Sequence, residues 1–184
     1  MSIETRHIIV NAVLFQVLWF SAILMGWALA LGPMLLLAAH FLFVVRDQKR
    51  VACVALAACG ALADSALGLL GIYTFNEAAL LVANTIPLWL VFMWLGFAFC
   101  LPLSLNWLYR SPWLVLAFFS IGGPMSYVAG RSLGALAFDN ADIWLLVLLW
   151  FAVALITIVA SKVASNTDTL SSGEQVQPAV KPSA

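Results

Sequence analysis

The chain is apolar from Ile8 to Val45, about twice the length that one membrane-crossing helix needs, since ~30 Å of hydrocarbon takes about 20 helical residues. Gly26 and the pair Gly32-Pro33 mark a tight reversal inside this run. The pattern therefore predicts a first helix over about 8–26 and a second over about 29–45. The string RDQKR (46–50) reads as a hydrophilic turn, and a third helix follows from Val51 to Ile72. A loop carries Tyr73, Asn76 and Glu77 and leads through the half-buried stretch EAALLVAN into a fourth helix, 86–107, with Pro87 near its start and Pro102 near its end. Tyr109-Arg110-Ser111-Pro112 makes the next turn. A fifth helix covers 113–134, with Gly122-Gly123-Pro124 expected to break or kink it. The loop FDNAD (138–142) precedes a sixth helix, 143–162. From Ser165 to Ala184 the chain turns to Ser, Thr, Gln and Pro and is expected to be a disordered polar tail. Residues 1–164 are thus read as one all-α, polytopic membrane bundle of about six transmembrane helices.

Composition supports a bilayer as solvent. The chain of 184 residues is 65% hydrophobic and 9% charged, whereas soluble domains are nearer half apolar and a quarter charged. With zero net charge and no basic stripe, nucleic acid is not an expected partner. Cys53, Cys59 and Cys100 lie in apolar runs without a CxxC pair, so they read as small buried hydrophobes. The start resembles a signal peptide with Ala28-Leu29-Ala30 as a cleavage site, but the apolar segment is too long and continues past it, so a retained membrane helix is expected.

Charge asymmetry orients the bundle. With six spans, Arg6, Arg46, Lys49, Arg50, Arg110, Lys162 and Lys181 share one side and Arg131 stands alone on the other. By the positive-inside rule both termini are expected to be cytoplasmic. Trp27, Trp89 and Trp144 fall near the outer interface and Trp107 and Trp113 near the inner one, as in an aromatic belt. Trp19, Trp94 and Trp150 lie deeper, as packing residues or as the lining of a cavity.

The chemistry centres on Asp64. Cys53, Ala57, Gly60, Asp64, Gly68 and Gly71 recur at steps of three and four, which puts them on one helix face. Small residues let another helix approach, so that face, and Asp64 with it, is expected to look into the bundle. Helical rise places Asp64 about 20 Å from the cytoplasmic edge. A carboxylate at that depth needs a partner, and Arg131 at the end of the fifth helix is the candidate. Tyr127 lies one turn before it, and Glu77, Asn76 and Asn84 could close the same outer cluster. Either Asp64 and Arg131 form a structural ion pair, or they belong to a polar pocket open to the outer face, the reading favoured by the usual functional role of intramembrane ionisable groups. His40 is read first as a hydrogen-bonded packing residue and second as a pocket candidate. Only His7 could join it, so no metal centre is expected, and no cofactor. Asn11 and Gln16 are each expected to bond a neighbouring helix. No internal repeat is evident.

The stretch NAVLFQVLWFSAIL (11–24), followed by short paired spans and a carboxylate in the third helix, resembles a bacterial inner-membrane family, domain of unknown function 2878. The pattern is an Asn, then Phe-Gln, then Trp-Phe in the first helix, matched by Asn11, Phe15, Gln16, Trp19 and Phe20. The resemblance covers most of residues 8–160 and implies a multi-span inner-membrane protein, with no catalytic residues supplied. A fainter likeness runs from Arg50 through Asp64 to lysoplasmalogenase-type membrane hydrolases. Ala63 stands where that family has Gly, and its later His–Tyr features are missing from this chain.

Three functions are open at this level. The first is binding or transport of a lipid or small amphiphile in an outer-facing polar pocket. The second is a lipid-modifying membrane enzyme, with Asp64 as acid or base and Arg131 and Tyr127 orienting a head group. The third is an accessory subunit of a complex, whose small-residue faces bind other membrane proteins. No nucleophile elbow, histidine box or phosphate loop supports the enzyme.

Overall fold

A computed structural model describes residues 2–75, 80–82 and 85–174. Among them lie six α-helices: α1 (Ile3–Met25), α2 (Trp27–Val44), α3 (Asp47–Leu69), α4 (Leu88–Cys100), α5 (Pro112–Ser132) and α6 (Ile143–Glu174). All but α4 are long and apolar enough to cross a membrane. The expectation of an all-α membrane bundle holds. The short strands β1 (Tyr73–Phe75), β2 (Leu81–Val82), β3 (Ile86–Pro87) and β4 (Leu136–Phe138) sit in the connections.

Boundaries differ from the hydropathy reading where polar residues do local work. Helix α1 starts earlier because the Ser2 hydroxyl caps it, accepting the Thr5 N–H at 3.1 Å. Gly26 alone makes the reversal between α1 and α2, at φ 76, a conformation that costs glycine little. Gly32-Pro33 therefore lies inside α2, where Pro33 removes one ladder bond without ending the helix. RDQKR is not a free turn either. Asp47 opens α3, and Arg50 folds back to donate to the carbonyls of Val45, at 2.6 Å, and Leu42. A cation there satisfies orphan carbonyls at the end of α2. Helix α5 runs through Gly122-Gly123-Pro124 without the expected break. Helix α4 is shorter than expected, ending at Cys100, and passes through turns to a 3-10 segment, Asn106–Arg110. Pro102 has no N–H with which to continue it. The Asn11 side chain compensates: fully buried, it donates to the Phe99 carbonyl at 3.4 Å and accepts from the Ser104 hydroxyl at 2.6 Å. Helix α6 continues past 162 to Glu174, so the first part of the expected tail is helical. Residues 175–184 lie outside the described residues.

The loops fix the direction of each helix. Strands β1 and β4 pair antiparallel, Tyr73 opposite Phe138, Thr74 opposite Ala137 and Phe75 opposite Leu136. The α3–α4 and α5–α6 connections are therefore at one end of the bundle, and α4 carries the chain back to the other. Helices α1 and α2 are antiparallel neighbours, with His7 Nδ1 and His40 Nε2 3.1 Å apart near the opposite end.

A short repeat becomes visible at this ladder, where the sequence reading found none. LGIYTF (70–75) and LGALAF (133–138) share Leu-Gly-x-x-x-Phe. Each glycine has positive φ, 74 at Gly71 and 78 at Gly134. Each closes its helix in the same way. Ile72 N–H bonds the Leu67 carbonyl and Gly71 N–H that of Gly68. Ala135 and Gly134 do the same to Gly130 and Arg131. This is the paired C-terminal capping of a Schellman motif. Thr74 and Ala137 occupy equivalent positions and face each other, so a local two-fold axis passes between them. Helix α3 with α4 and helix α5 with α6 are thus two copies of one helix–strand–helix plan.

Candidate functional site

The face of α3 read as small is the buried one: Cys53, Ala57, Gly60 and Asp64 all point inward. Asp64 has no exposed surface. Its carboxyl group is not paired with Arg131. Tyr73 donates its hydroxyl to Oδ1 at 2.7 Å, while the indole N–H of Trp94 and the hydroxyl of Tyr127 reach Oδ2 at 2.6 and 2.5 Å. Three donors from β1, α4 and α5 thus converge on one group, whose two oxygens offer about four acceptor sites. Hydrogen bonds of this kind allow a carboxyl group to be buried without a cation.

Arg131 points away. Its guanidinium donates to the Phe138 carbonyl at 3.1 Å and the Asn140 side-chain oxygen at 2.8 Å, and lies 4.4 Å above the Phe138 ring. The reason is local: the tight cap at Gly134 turns β4 back across the end of α5, and this supplies Arg131 with a carbonyl and an aromatic face. Glu77, Asn84 and Asn76 lie outside the described residues. Tyr127 is the sequence candidate that does join Asp64. His40 instead meets His7, far from this cluster in the chain and at the other end of the bundle. Among the described residues no three His, Cys, Asp or Glu side chains are grouped to hold a metal ion. Two partners were missed, Tyr73 and Trp94. A tryptophan deep in an apolar run was a usable signal, since its N–H needs an acceptor wherever water is absent.

Glycines decide how close the aromatics come. A Cβ on Gly60 would lie 2.3 Å from the Trp94 ring, and one on Gly123 would lie 2.0 Å from Trp150. Each indole rests against bare backbone, and the two indoles stack on each other, centroids 5.0 Å apart and 13° from parallel. Gly60 and Gly123 each stand eleven residues before their capping glycine, Gly71 or Gly134. Asp64 and Tyr127, hydrogen-bonded to one another, each stand seven before it. The buried centre therefore sits on the local two-fold axis.

Beside this centre runs a cleft of about 600 Å³. Helices α1 and α5 form its sides and α4 its floor, from Trp89 to Cys100 and on to Ser104. Helix α1 packs on α2 and α4, and α5 on α6, so large rings rather than close backbones join the two parts. Phe97 lies edge-on to Phe119 and to Trp150, with centroids 5.1 Å apart in each case. The expected pocket was polar and outer-facing. The observed one is aromatic, and its edge residues Phe20 and Phe118, 51% and 41% exposed, open it sideways toward lipid. Asp64 does not line it, but Trp94 and Tyr127 do.

Comparison with known proteins places the chain by family. The model of the family described as "Protein of unknown function (DUF2878)" matches residues 8–159. The chain belongs to this family. No curated protein and no solved structure matches it. In this DUF2878 protein the matched region takes in both helix–strand–helix copies, apart from the end of α6, and the cleft beside them.

Proposed function

We propose that this DUF2878 protein binds or transports a lipid or small amphiphile in the cleft between α1 and α5, in the inner membrane of a bacterium, with both termini cytoplasmic. The cleft itself carries the reading. Its volume falls in the range of small-molecule sites, about 300–1,000 Å³, its walls are aromatic, and it opens where lipid would stand. The excess of Lys and Arg at the end that holds the start of α1 and the α2–α3 and α4–α5 connections supports the orientation. An acid–base role for Asp64 has less support, because the carboxyl group meets the cleft only through Trp94 and Tyr127.

Gly122→Phe tests the proposal. Gly122 lines the cleft, and a Cβ there would touch nothing within 4 Å, so the ring fills the space without strain in the helix. Mass spectrometry of protein purified in mild detergent is expected to find bound lipid on the wild type. Occupancy on the variant should fall by about tenfold, the equivalent of ~1.4 kcal/mol. Unchanged occupancy on a folded variant would remove the proposal.

A further inference from the structure

The cleft contains a polar side chain that no described residue partners. Gln16 lines it from α1 and is exposed, and its amide makes no hydrogen bond to any described residue, unlike Asn11 on the same helix. Trp150 lines it from the opposite wall and is 7% exposed. Its Nε1 is enclosed by protein beside the Tyr127 hydroxyl, so it is not open to an occupant of the cleft. By helical rise Gln16 stands about 14 Å from the Met25 end of α1 and Trp150 about 11 Å from the Ile143 end of α6. Those ends share one side of the bundle, so the two groups lie at similar depth. An amide facing hydrocarbon with nothing to bond is strongly unfavourable. Among the described residues no Asp, Glu, Lys, Arg or His lines the cleft.

An amide suits a neutral oxygen. It provides no charge to balance a phosphate or carboxylate taken out of water. We infer that the occupant is an uncharged lipid, an apolar chain bearing a carbonyl or hydroxyl oxygen, and that this oxygen bonds the Gln16 side chain. The inference rests on the cleft being the lipid site and names the head group that site selects.

Two probes with one acyl chain separate the cases: monooleoylglycerol, which is neutral, and oleoyl-lysophosphatidylglycerol, which is anionic. Native mass spectrometry of the full chain in neutral detergent gives the affinity for each. The wild type is expected to prefer the neutral probe by about tenfold, and Gln16→Leu to lose about that factor for the neutral probe alone, as the removal of one hydrogen-bonding group implies. Gln16→Leu takes an unpaired amide out of lipid, so insertion is expected to be at least as good as that of the wild type. Equal binding of the two probes, or a Gln16→Leu variant that binds like the wild type, overturns the assignment. If Gly122→Phe still abolishes both, the cleft remains the lipid site and only the head group is wrong. If Gly122→Phe leaves both intact, the cleft reading falls as well. A wild-type dimer that Gln16→Leu disperses, with neither probe bound, overturns the inference in favour of a second copy of the chain on α1.

Discussion

The two helix–strand–helix copies share a skeleton and differ at its centre. In each, a helix carries a bare glycine, Gly60 or Gly123, that receives the indole of the next helix, Trp94 or Trp150. Seven residues before the capping glycine the first copy has Asp64 and the second has Tyr127. The consequence is visible in the indoles. Trp94 donates to the carboxyl group at 2.6 Å, whereas Trp150 has no acceptor in bonding geometry among the described residues. The strands differ in the same sense: Tyr73 donates to Asp64, and Leu136 stands at the equivalent position. One carboxyl group thus serves both copies, because the two-fold axis brings Tyr127 across to it. Identical polar residues on a symmetry axis would place two carboxyl groups in contact in a dry site, an arrangement in which both cannot easily be ionised. An acid facing a phenol avoids this.

The largest effect is expected where this comparison turns on a single group. Asp64→Leu leaves the buried donors of Trp94 and Tyr127 without an acceptor, while Tyr73 keeps the backbone carbonyl of residue 64 at 3.0 Å, at a cost of about 1–3 kcal/mol for each one stranded. Unfolding in detergent should show a loss of roughly 2–5 kcal/mol. A loss under ~1 kcal/mol would mean that the carboxyl group does not join the copies.

The glycines come next, and they test the likeness itself. Gly60→Leu and Gly123→Leu each drive a side chain into an indole, so each should destabilise by about 1–3 kcal/mol or more, as overpacking does. Equal losses are expected, from thermal unfolding monitored by tryptophan fluorescence. A large loss at one glycine and none at the other would break the equivalence.

The smallest effect sharpens the difference. Trp94→Phe removes a donor bonded to Asp64, and Trp150→Phe removes one without an acceptor in bonding geometry among the described residues. The ring loss is similar, so the excess cost at Trp94 should be about 1 kcal/mol, the usual worth of one hydrogen bond. It should be measured on lipid-free protein, so that an occupied cleft adds to neither value. Equal costs would show that the two indoles are equivalent after all.

The apolar runs, their lengths and the small-residue face of α3 were legible in the sequence. So was the inward direction of Asp64. These follow from periodicity and from what a bilayer tolerates, which are local properties of the chain. Helix ends were less legible, because they depend on side chains that turn back on the backbone, as Ser2, Arg50 and Asn11 do. The partner of Asp64 was not legible at all. Charge complementarity pointed to Arg131, but the distance between them is set by how β4 folds over the end of α5, and no spacing along the chain encodes it. Leu-Gly-x-x-x-Phe was present twice in the sequence, yet six positions with three identities carry no weight until the strands pair. That the protein lives in a membrane was decided by composition. Which buried groups meet, and where a cleft is left between them, was decided by packing, because contacts between distant segments depend on ring sizes and helix directions together.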